Sequence, residues 1–205
     1  MPGKRIVNDD RARRTLAQEA ARLIVDHGIR DYRAAKIKAA ERLGMSTRRA
    51  LPRNAEIELA VSEHLQLYGG DSHKEFLRAM RQVAFNVMRL LDIFSPRLVG
   101  PVLIGTADGN TAVNLHVFAD SPEAVALQLS ELDYRYRPYE RRLKISRGKG
   151  ATAQTFAGFQ FDHEREVIEA TVFPVDGIRQ APISPIDGRP MQRADRKAVA
   201  SLISG

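Results

Sequence analysis

Polar residues that could bind a phosphate group lie in and beside a short turn between two apolar runs, within residues 98–120. Gly105 and Thr106 follow the first run. A glycine lets the backbone approach a phosphate closely, and the neighbouring hydroxyl and N–H groups can bind its oxygens. Asn114 and His116 are two residues apart in the second run, so a strand there would carry both side chains on one face. We therefore predict that Gly105, Thr106 and Asn114 bind a nucleotide and that His116 faces the same site.

Two of these predictions have structural alternatives. His116 offers a ring nitrogen, which suits Zn²⁺ or Mn²⁺ better than Mg²⁺. The alternative is a strand histidine that is hydrogen-bonded in or near the core. For Gly105 and Thr106, the alternative is a tight turn of the kind found in any α/β protein.

The basic stretch of residues 134–149 is a second candidate site, because tyrosines alternate there with cations. Cations bind backbone phosphates and release counterions, and tyrosine rings can stack on unpaired bases. The alternative is an edge strand that its charges protect from aggregation. Further cations lie in the first helical segments, and both patches on one side would form a groove for RNA or single-stranded DNA. We predict nucleic-acid binding by Arg135, Tyr136, Arg137, Arg141, Arg142 and Lys144.

Other catalytic motifs are missing from the sequence. The five histidines have no metal-binding spacing such as HExxH, and no serine lies in a G-x-S-x-G turn. No P-loop or dinucleotide-binding fingerprint occurs. The chain has no cysteine, which excludes disulfides and thiolate metal sites. Asp187-Gly188 is typical of a turn.

Composition and charge indicate a globular protein with an anionic partner. The chain has 205 residues, a net charge of +7 and a pI near 10.0. This charge balance favours polyanions, above all nucleic acid, and the alternative is a solvated basic surface with no such partner. No apolar run approaches the roughly 20 residues that span a bilayer. The basic N-terminal residues are not followed by the apolar region of a secretory signal. We therefore expect a soluble cytoplasmic protein that does not bind membranes.

The first half of the chain is predicted to be helical, because apolar residues recur there at three- and four-residue steps. Residues 1–10 are expected to form a mobile tail. Asp31 is a candidate N-cap, and Gly28, Gly44 and Gly69-Gly70 are candidate helix ends. The four predicted helices cover residues 11–27, 31–43, 55–68 and 71–91.

The second half is predicted to be a sheet with flanking helices. Strands are expected at Leu98–Ile104, Ala112–Ala119, Arg137–Ser146, Thr155–Phe161 and Glu166–Phe173, the last two forming a hairpin through residues 162–165. Ser121-Pro122 should start one helix and Asp195 another, and Gly148–Gly150 should form a turn. The fold class is therefore α+β, with a helical region over residues 1–95 and a sheet domain over residues 96–205.

The sheet half resembles the nucleotidyltransferase fold, the superfamily that includes DNA polymerase beta and the aminoglycoside nucleotidyltransferases. The resemblance covers Leu98–Pro174 and rests on Ile104-Gly105-Thr106, Ala112-Val113-Asn114 and Glu169. In that superfamily a Gly-Ser or Gly-Gly turn ends one strand, the next strand carries two acidic residues one position apart, and a later strand adds a third carboxylate. The resemblance implies a mixed sheet and a site in which carboxylates hold two Mg²⁺ ions.

The chain departs from this pattern where the metal ligands should be. Ala112 has no ligand atom, Asn114 offers one neutral oxygen, and Glu169 is a single candidate carboxylate. A narrower resemblance, carried by RDYRAAKIKAAERLG, NAEIELAV, FSPRLVGPVL and SPIDGRPMQRAD, is to a small bacterial family. Its members are labelled nucleotidyltransferases on their fold. It implies an N-terminal helical region fused to the nucleotidyltransferase-like domain and no particular substrate.

Three functions follow as expectations. The first is a divergent nucleotidyltransferase-like protein, a pseudoenzyme that binds nucleotide or RNA without the two-metal carboxylate site. The second is an active nucleotidyltransferase that transfers NMP from NTP with Mg²⁺ or Mn²⁺. Its altered metal site would use His116, Glu169 and Asp108, the first two as catalytic residues. The third is a protein-interaction module, in which the helical region docks a partner protein on an inert sheet scaffold.

Overall fold

The computed structural model describes residues 3–45, 51–146 and 152–204. It confirms an α+β fold, with a helical region that precedes a mixed sheet. The helices are α1 (Gly3–His27), α2 (Tyr32–Arg42), α3 (Asn54–Leu90), α4 (Pro101–Ile104), α5 (Pro122–Glu131) and α6 (Arg196–Ser204). The strands are β1 (Arg97–Val99), β2 (Val113–Phe118), β3 (Tyr136–Lys144), β4 (Ala153–His163) and β5 (Glu166–Phe173).

The chain divides into two compact units. The described residues up to His73, together with Pro185–Asp187, form unit 1, and those from Lys74 onward otherwise form unit 2. The division falls inside α3, three residues after a kink at Gly70 (φ 49°, ψ −140°). The second part of α3 therefore belongs with the sheet, whereas the sequence placed the domain boundary at residue 95. None of the described helices is both long and apolar enough to span a membrane.

Unit 1 is a small helical assembly with an alanine-rich core. The buried residues of α2 are Ala35, Ala39 and Ala40, and their small side chains allow close helix packing. Asp31 is the N-cap of α2, as predicted, and its carboxylate accepts a hydrogen bond from the Arg33 N–H at 2.8 Å. The kink at Gly70 confirms the predicted break between two helical segments. The prediction of a tail over residues 1–10 is wrong, since the α1 backbone is helical from Gly3.

Unit 2 contains a five-stranded sheet in the order β1-β2-β5-β4-β3. The central pair, β2 and β5, is parallel, and the other neighbours are antiparallel. A parallel pair needs a long crossover, and the chain from α5 through β4 supplies it. The strands at the two edges of the sheet are β1 and β3. This order places residues of β2 next to residues of β5 that lie far away in the sequence.

Side chains alternate between the two faces of this sheet. On one face Val113, Leu115, Ile168 and Ala170 are fully buried, in a core that also contains apolar residues of α3, α5 and α6. We call the opposite side the polar face; its central residues are Asn114, His116 and Phe118 of β2, Glu169, Thr171 and Phe173 of β5, Phe156, Gly158 and Gln160 of β4, and Arg137, Tyr139 and Arg141 of β3.

The predicted strand Leu98–Ile104 is wrong beyond Val99. Gly100 takes a positive φ of 72°, which ends the strand, and Pro101 starts the short helix α4. Proline suits this first helical position because its fixed φ is helical and its missing N–H needs no partner there. Gly105 therefore ends a helical turn and not a strand. The strand was predicted because the run is short and apolar, but such a run fits a buried helical turn equally well.

The remaining elements of unit 2 follow the prediction closely. The β4–β5 hairpin is confirmed, and its turn is tighter than predicted: Glu164 and Arg165 both have positive φ, the geometry of a two-residue hairpin turn. Asp195 caps α6 through the Ala198 N–H at 2.8 Å. The predicted turn at Gly148–Gly150 lies outside the described residues.

Candidate functional site

The pairing of β2 with β5 brings two of the predicted site residues together. Asn114 is in register with Glu169, and His116 is in register with Thr171, one step along the same two strands. Gln160 of β4 continues the row from Glu169. These polar side chains lie on one face because residues in register on neighbouring strands point to the same side. The polar face is therefore the place where this chain could carry chemistry.

Arg141 links the two strands at the centre of the polar face. Its Nη1 donates to Asn114 Oδ1 at 3.0 Å, and its Nη2 donates to Glu169 Oε2 at 2.5 Å. By register Arg141 is opposite Phe156, so its side chain reaches diagonally across the face. The side chain of Arg141 is 32% exposed and that of Glu169 is 17% exposed, so the ion pair is partly open to solvent.

The partners of Arg141 are themselves held in place. Asn114 Nδ2 donates to the Ala112 carbonyl at 3.0 Å, which fixes the amide so that its oxygen faces the guanidinium. The second oxygen of Glu169 accepts a long, 3.5 Å hydrogen bond from Gln160 Nε2. Glu169 is therefore held mainly by Arg141, and Arg141 is held by both Asn114 and Glu169.

The Tyr139 ring covers Gly158 beside this cluster. A Cβ atom added at Gly158 would be 2.3 Å from Tyr139 Cζ, so the ring occupies the space that a side chain would fill. The Tyr139 hydroxyl shares a hydrogen bond of 2.9 Å with Thr171 Oγ1. The Arg141 guanidinium lies 5.3 Å from the centre of the same ring. Burial is the main cause that raises the pKa of Tyr139, so the phenol stays protonated at neutral pH.

His116 is buried in the polar face, where an arginine side chain binds one of its ring nitrogens. It is 1% exposed, and its ring packs against Phe173 with 4.5 Å between ring centres. Its Nδ1 accepts a hydrogen bond from Arg193 Nε at 3.0 Å. Burial, with Arg193 and Arg141 adding to it, lowers the pKa of His116 to about 3. At neutral pH His116 is therefore an uncharged imidazole whose acceptor nitrogen is occupied.

Arg193 holds the segment that follows β5 against the sheet. Its Nη1 donates to the carbonyls of Gly177 and Ile178 at 2.8 and 3.3 Å. The guanidinium also lies about 5 Å from the ring centres of Phe118 and Phe173. Burial is the main cause that lowers the pKa of Arg193, to about 10, so it remains a cation at neutral pH.

The residues present do not fit the paired Mg²⁺ ions that the resemblance implies. Within the described residues, no group of three or more histidines, aspartates and glutamates could hold a metal ion. Asp108 accepts hydrogen bonds from the Asn110 N–H and the Thr111 hydroxyl, at 2.9 and 2.7 Å, and so closes its own turn. Glu169 is occupied by Arg141. The altered metal site of His116, Glu169 and Asp108 thus has no support in the geometry.

Gly105 and Thr106 lie at the end of α4. Gly105 has a φ of 90°, and its N–H donates to the Pro101 carbonyl at 2.8 Å. A Cβ atom added there would be 3.9 Å from the Arg81 side chain of α3. The glycine beside Asn114 is instead Gly100, where an added Cβ would be 3.6 Å from Asn114 Nδ2. The binding of a nucleotide by Gly105 and Thr106 stays a prediction.

The basic stretch forms the edge strand β3 and the residues before it. Arg137 is exposed on the polar face, where it is in register with Gln160. Arg142 and Lys144 are exposed and alternate to the other side of the strand. Arg135 is exposed just before the strand begins. The structure thus divides the cations of β3 between the two sides of the sheet, whereas residues 147–149 of the stretch lie outside the described residues.

The tyrosines of this stretch are less available for stacking than the sequence suggests. Tyr136 packs edge-to-face against Phe159, with 5.1 Å between ring centres, and Tyr134 packs against Phe161 at 5.0 Å. Both rings cover the apolar core on the side opposite the polar face. Tyr139 is the tyrosine of β3 that lies on the polar face. The predicted nucleic-acid contact by Tyr136 would compete with this packing.

Sequence reasoning gave no site role to Gln160 and Thr171 of the polar face, or to Arg193, which binds His116 there. Alternation along β4 and β5 could have placed Gln160 and Thr171 on the face of Glu169. No local signal marks Arg193, which follows an irregular loop. Comparison of the chain with protein-family models, with curated proteins and with solved structures gives no match.

Proposed function

We propose that this chain is a divergent nucleotidyltransferase-like protein that binds nucleotide or RNA on its polar face, without two-metal carboxylate chemistry. The supporting observation is the position of Arg141, whose guanidinium contacts both Asn114 and Glu169. In the superfamily that the chain resembles, metal-bound carboxylates occupy the corresponding strands. Here a fixed cation supplies positive charge at that place, and guanidinium groups bind phosphate oxygens in a two-pronged geometry.

The charges around Arg141 support an anionic ligand. Arg137 is exposed on the same face of the same strand, and Arg193 adds a second cation beside His116. The chain as a whole carries a net charge of +7. A ligand with several phosphates would contact Arg137 and Arg141 together, which favours a nucleotide or a strand of RNA over a single small anion.

The test compares two exposed arginines on opposite sides of β3. Binding of a fluorescently labelled single-stranded RNA would be followed by anisotropy at several salt concentrations, for wild type, Arg137→Ala and Arg142→Ala. Each phosphate contact contributes about 0.7 to the slope of log affinity against log salt for single strands. Arg137→Ala should weaken binding and flatten the slope by about that amount. Arg142→Ala removes the same charge from the other side and should have a smaller effect.

Three results would count against the proposal. Absence of salt-dependent binding by wild type would refute it, and so would equal losses for Arg137→Ala and Arg142→Ala. The third is binding that requires Mg²⁺ or Mn²⁺ and disappears with a chelator, since the polar face should bind without metal. Incubation with labelled nucleoside triphosphate and cellular RNA tests the catalytic alternative, in which label transfer would depend on Glu169 and His116.

A second candidate function is protein binding by unit 1. Leu59, Leu67 and Tyr68 of α3 are 62%, 77% and 79% exposed, which is unusual for large apolar side chains in one helical segment. Leu59 and Leu67 are two helical turns apart and so lie on one side of the helix. Replacement of both by Glu should leave RNA binding unchanged and abolish capture of a partner protein from cell extract. Unaltered capture would exclude this surface.

A further inference from the structure

The Glu169 carboxylate, which forms an ion pair with Arg141, competes with any phosphate that would bind Arg141. Arg141 uses Nη1 for Asn114 and Nη2 for Glu169, so each terminal nitrogen of the guanidinium already has one partner in the free protein. Carboxylates and phosphates bind the guanidinium with the same geometry and so compete for it. The guanidinium has further N–H groups, but a phosphate that approaches Arg141 meets a cation already paired with the Glu169 carboxylate, whose negative charge repels it.

The neighbouring contacts make Glu169 the exchangeable partner. Asn114 is fixed by its hydrogen bond to the Ala112 carbonyl, at 3.0 Å. It is also neutral, so it does not repel a phosphate. The other oxygen of Glu169 has only the 3.5 Å hydrogen bond from Gln160, which is at the long limit for such a bond. Displacement of the Glu169 carboxylate would thus break one strong contact, and Arg141 would stay anchored by Asn114.

We infer that Glu169 is an internal counter-ion that competes with ligand phosphate for Arg141 and so lowers the affinity of the polar face. This inference rests on the proposed binding of nucleotide or RNA. It assigns Glu169 a role opposite to that of a metal-binding carboxylate. Removal of its charge strengthens binding, because Arg141 is then free to pair with a phosphate and a repelling charge is gone.

Glu140 provides a matched control. It is adjacent to Arg141 in β3, is exposed and alternates to the other side of the strand, opposite Ala157. Glu140→Gln changes the net charge by the same amount as Glu169→Gln, so it measures the general electrostatic gain without release of Arg141. Glutamine at position 169 keeps the size of the side chain and can still accept a hydrogen bond from Arg141.

The experiment measures RNA affinity by anisotropy at one fixed salt concentration, for wild type, Glu169→Gln and Glu140→Gln, each also in an Arg141→Ala background. Glu169→Gln should bind at least about fivefold more tightly than Glu140→Gln, a gain expected from release of one partly exposed ion pair. In the Arg141→Ala background the two glutamine variants should have equal affinities, since no guanidinium remains to be released. Thermal melts followed by circular dichroism would show that each variant is folded.

A second measurement uses the wild-type chain and does not depend on the variants folding. The NMR signal of the Arg141 side-chain N–H should shift when the same RNA is added. An unchanged Arg141 signal despite RNA binding would overturn the inference.

The outcomes separate this inference from the proposed function. Salt-dependent binding by wild type, with no additional gain in Glu169→Gln, refutes the role of Glu169 and leaves RNA binding in place. Binding by Glu169→Gln at concentrations where wild type does not bind supports the inference in its strongest form. Failure of both to bind refutes the proposed function and the inference together. Weaker binding by Glu169→Gln indicates that the carboxylate helps to bind the ligand, and it also overturns the inference.

Discussion

Acidification should destabilise unit 2 through His116. Burial is the main cause that lowers the pKa of this imidazole, from 6.5 to about 3. A folded-state pKa below the unfolded-state value means that the unfolded chain takes up the proton first. The neutral histidine therefore costs no stability above pH 6.5, and stability is lost as the pH falls from about 6.5 toward about 3. Below that window the loss stays constant.

The magnitude follows from the two pKa values. Between pH 7 and pH 4 the linkage relation gives a loss of about 3 kcal/mol for this one group. The structural cause is specific: protonation would turn Nδ1 into a donor that faces the Arg193 Nε–H at 3.0 Å, and it would place a charge beside a guanidinium. One group of this kind can therefore remove a sizeable part of the stability of a small domain.

The assay is urea unfolding at a series of pH values, followed by the NMR amide intensities of β2 and β5, so that unit 2 is observed by itself. The comparison is between wild type and His116→Gln, which keeps a hydrogen-bond acceptor but does not titrate in this range. His27→Gln, which removes an exposed histidine of α1, is the control and should behave as wild type. Equal pH dependence in wild type and His116→Gln would refute the reasoning, as would an imidazole titration of His116 near its ordinary pKa.

Three further stability changes can be measured by urea or thermal unfolding of the full chain. Gly158→Ala should cost about 1–3 kcal/mol, because its Cβ would lie 2.3 Å from Tyr139 Cζ; Gly109→Ala, which meets no atom within 4 Å, is its control. Arg193→Ala should cost roughly 2–4 kcal/mol through lost hydrogen bonds and ring contacts, and a change below experimental error would contradict its anchoring role. Asp31→Ala should cost about 1 kcal/mol by removing the N-cap of α2, whereas Asp31→Asn should cost much less.

The helices and the hairpin could be predicted because their signals are local. Asp31 as N-cap and the break at Gly70 follow from residue types that favour helix starts and ends. The β4–β5 hairpin follows from alternation on both sides of a polar turn. The apolar run at Leu98–Ile104 could not be assigned in this way, since its length suits more than one structure. Gly100, with its positive φ, and Pro101, at the first helical position, make this run a short helix. The number of apolar residues carries no information about that backbone geometry.

The candidate site could be predicted only in part. Asn114, His116 and Glu169 were singled out, and the structure brings all three to the polar face. The contacts that define their chemistry were not predicted. Arg141 was predicted to bind nucleic acid, and it pairs with Glu169. Arg193 was given no role, and it binds His116. Arg141 reaches from β3 to β5 and β2, and Arg193 comes from the loop before α6, so both sets of contacts depend on how the whole sheet is assembled.

The sequence by itself determined which residues are polar on each strand and that a pair of acidic residues is lacking beside Asn114. Those properties follow from residue type and from the two-residue period of a strand. Only the tertiary structure decided that β2 lies parallel to β5, that Asn114 and Glu169 are therefore neighbours, and that a guanidinium lies between them. Strand order and register are set by the packing of the complete core, which local preferences do not encode.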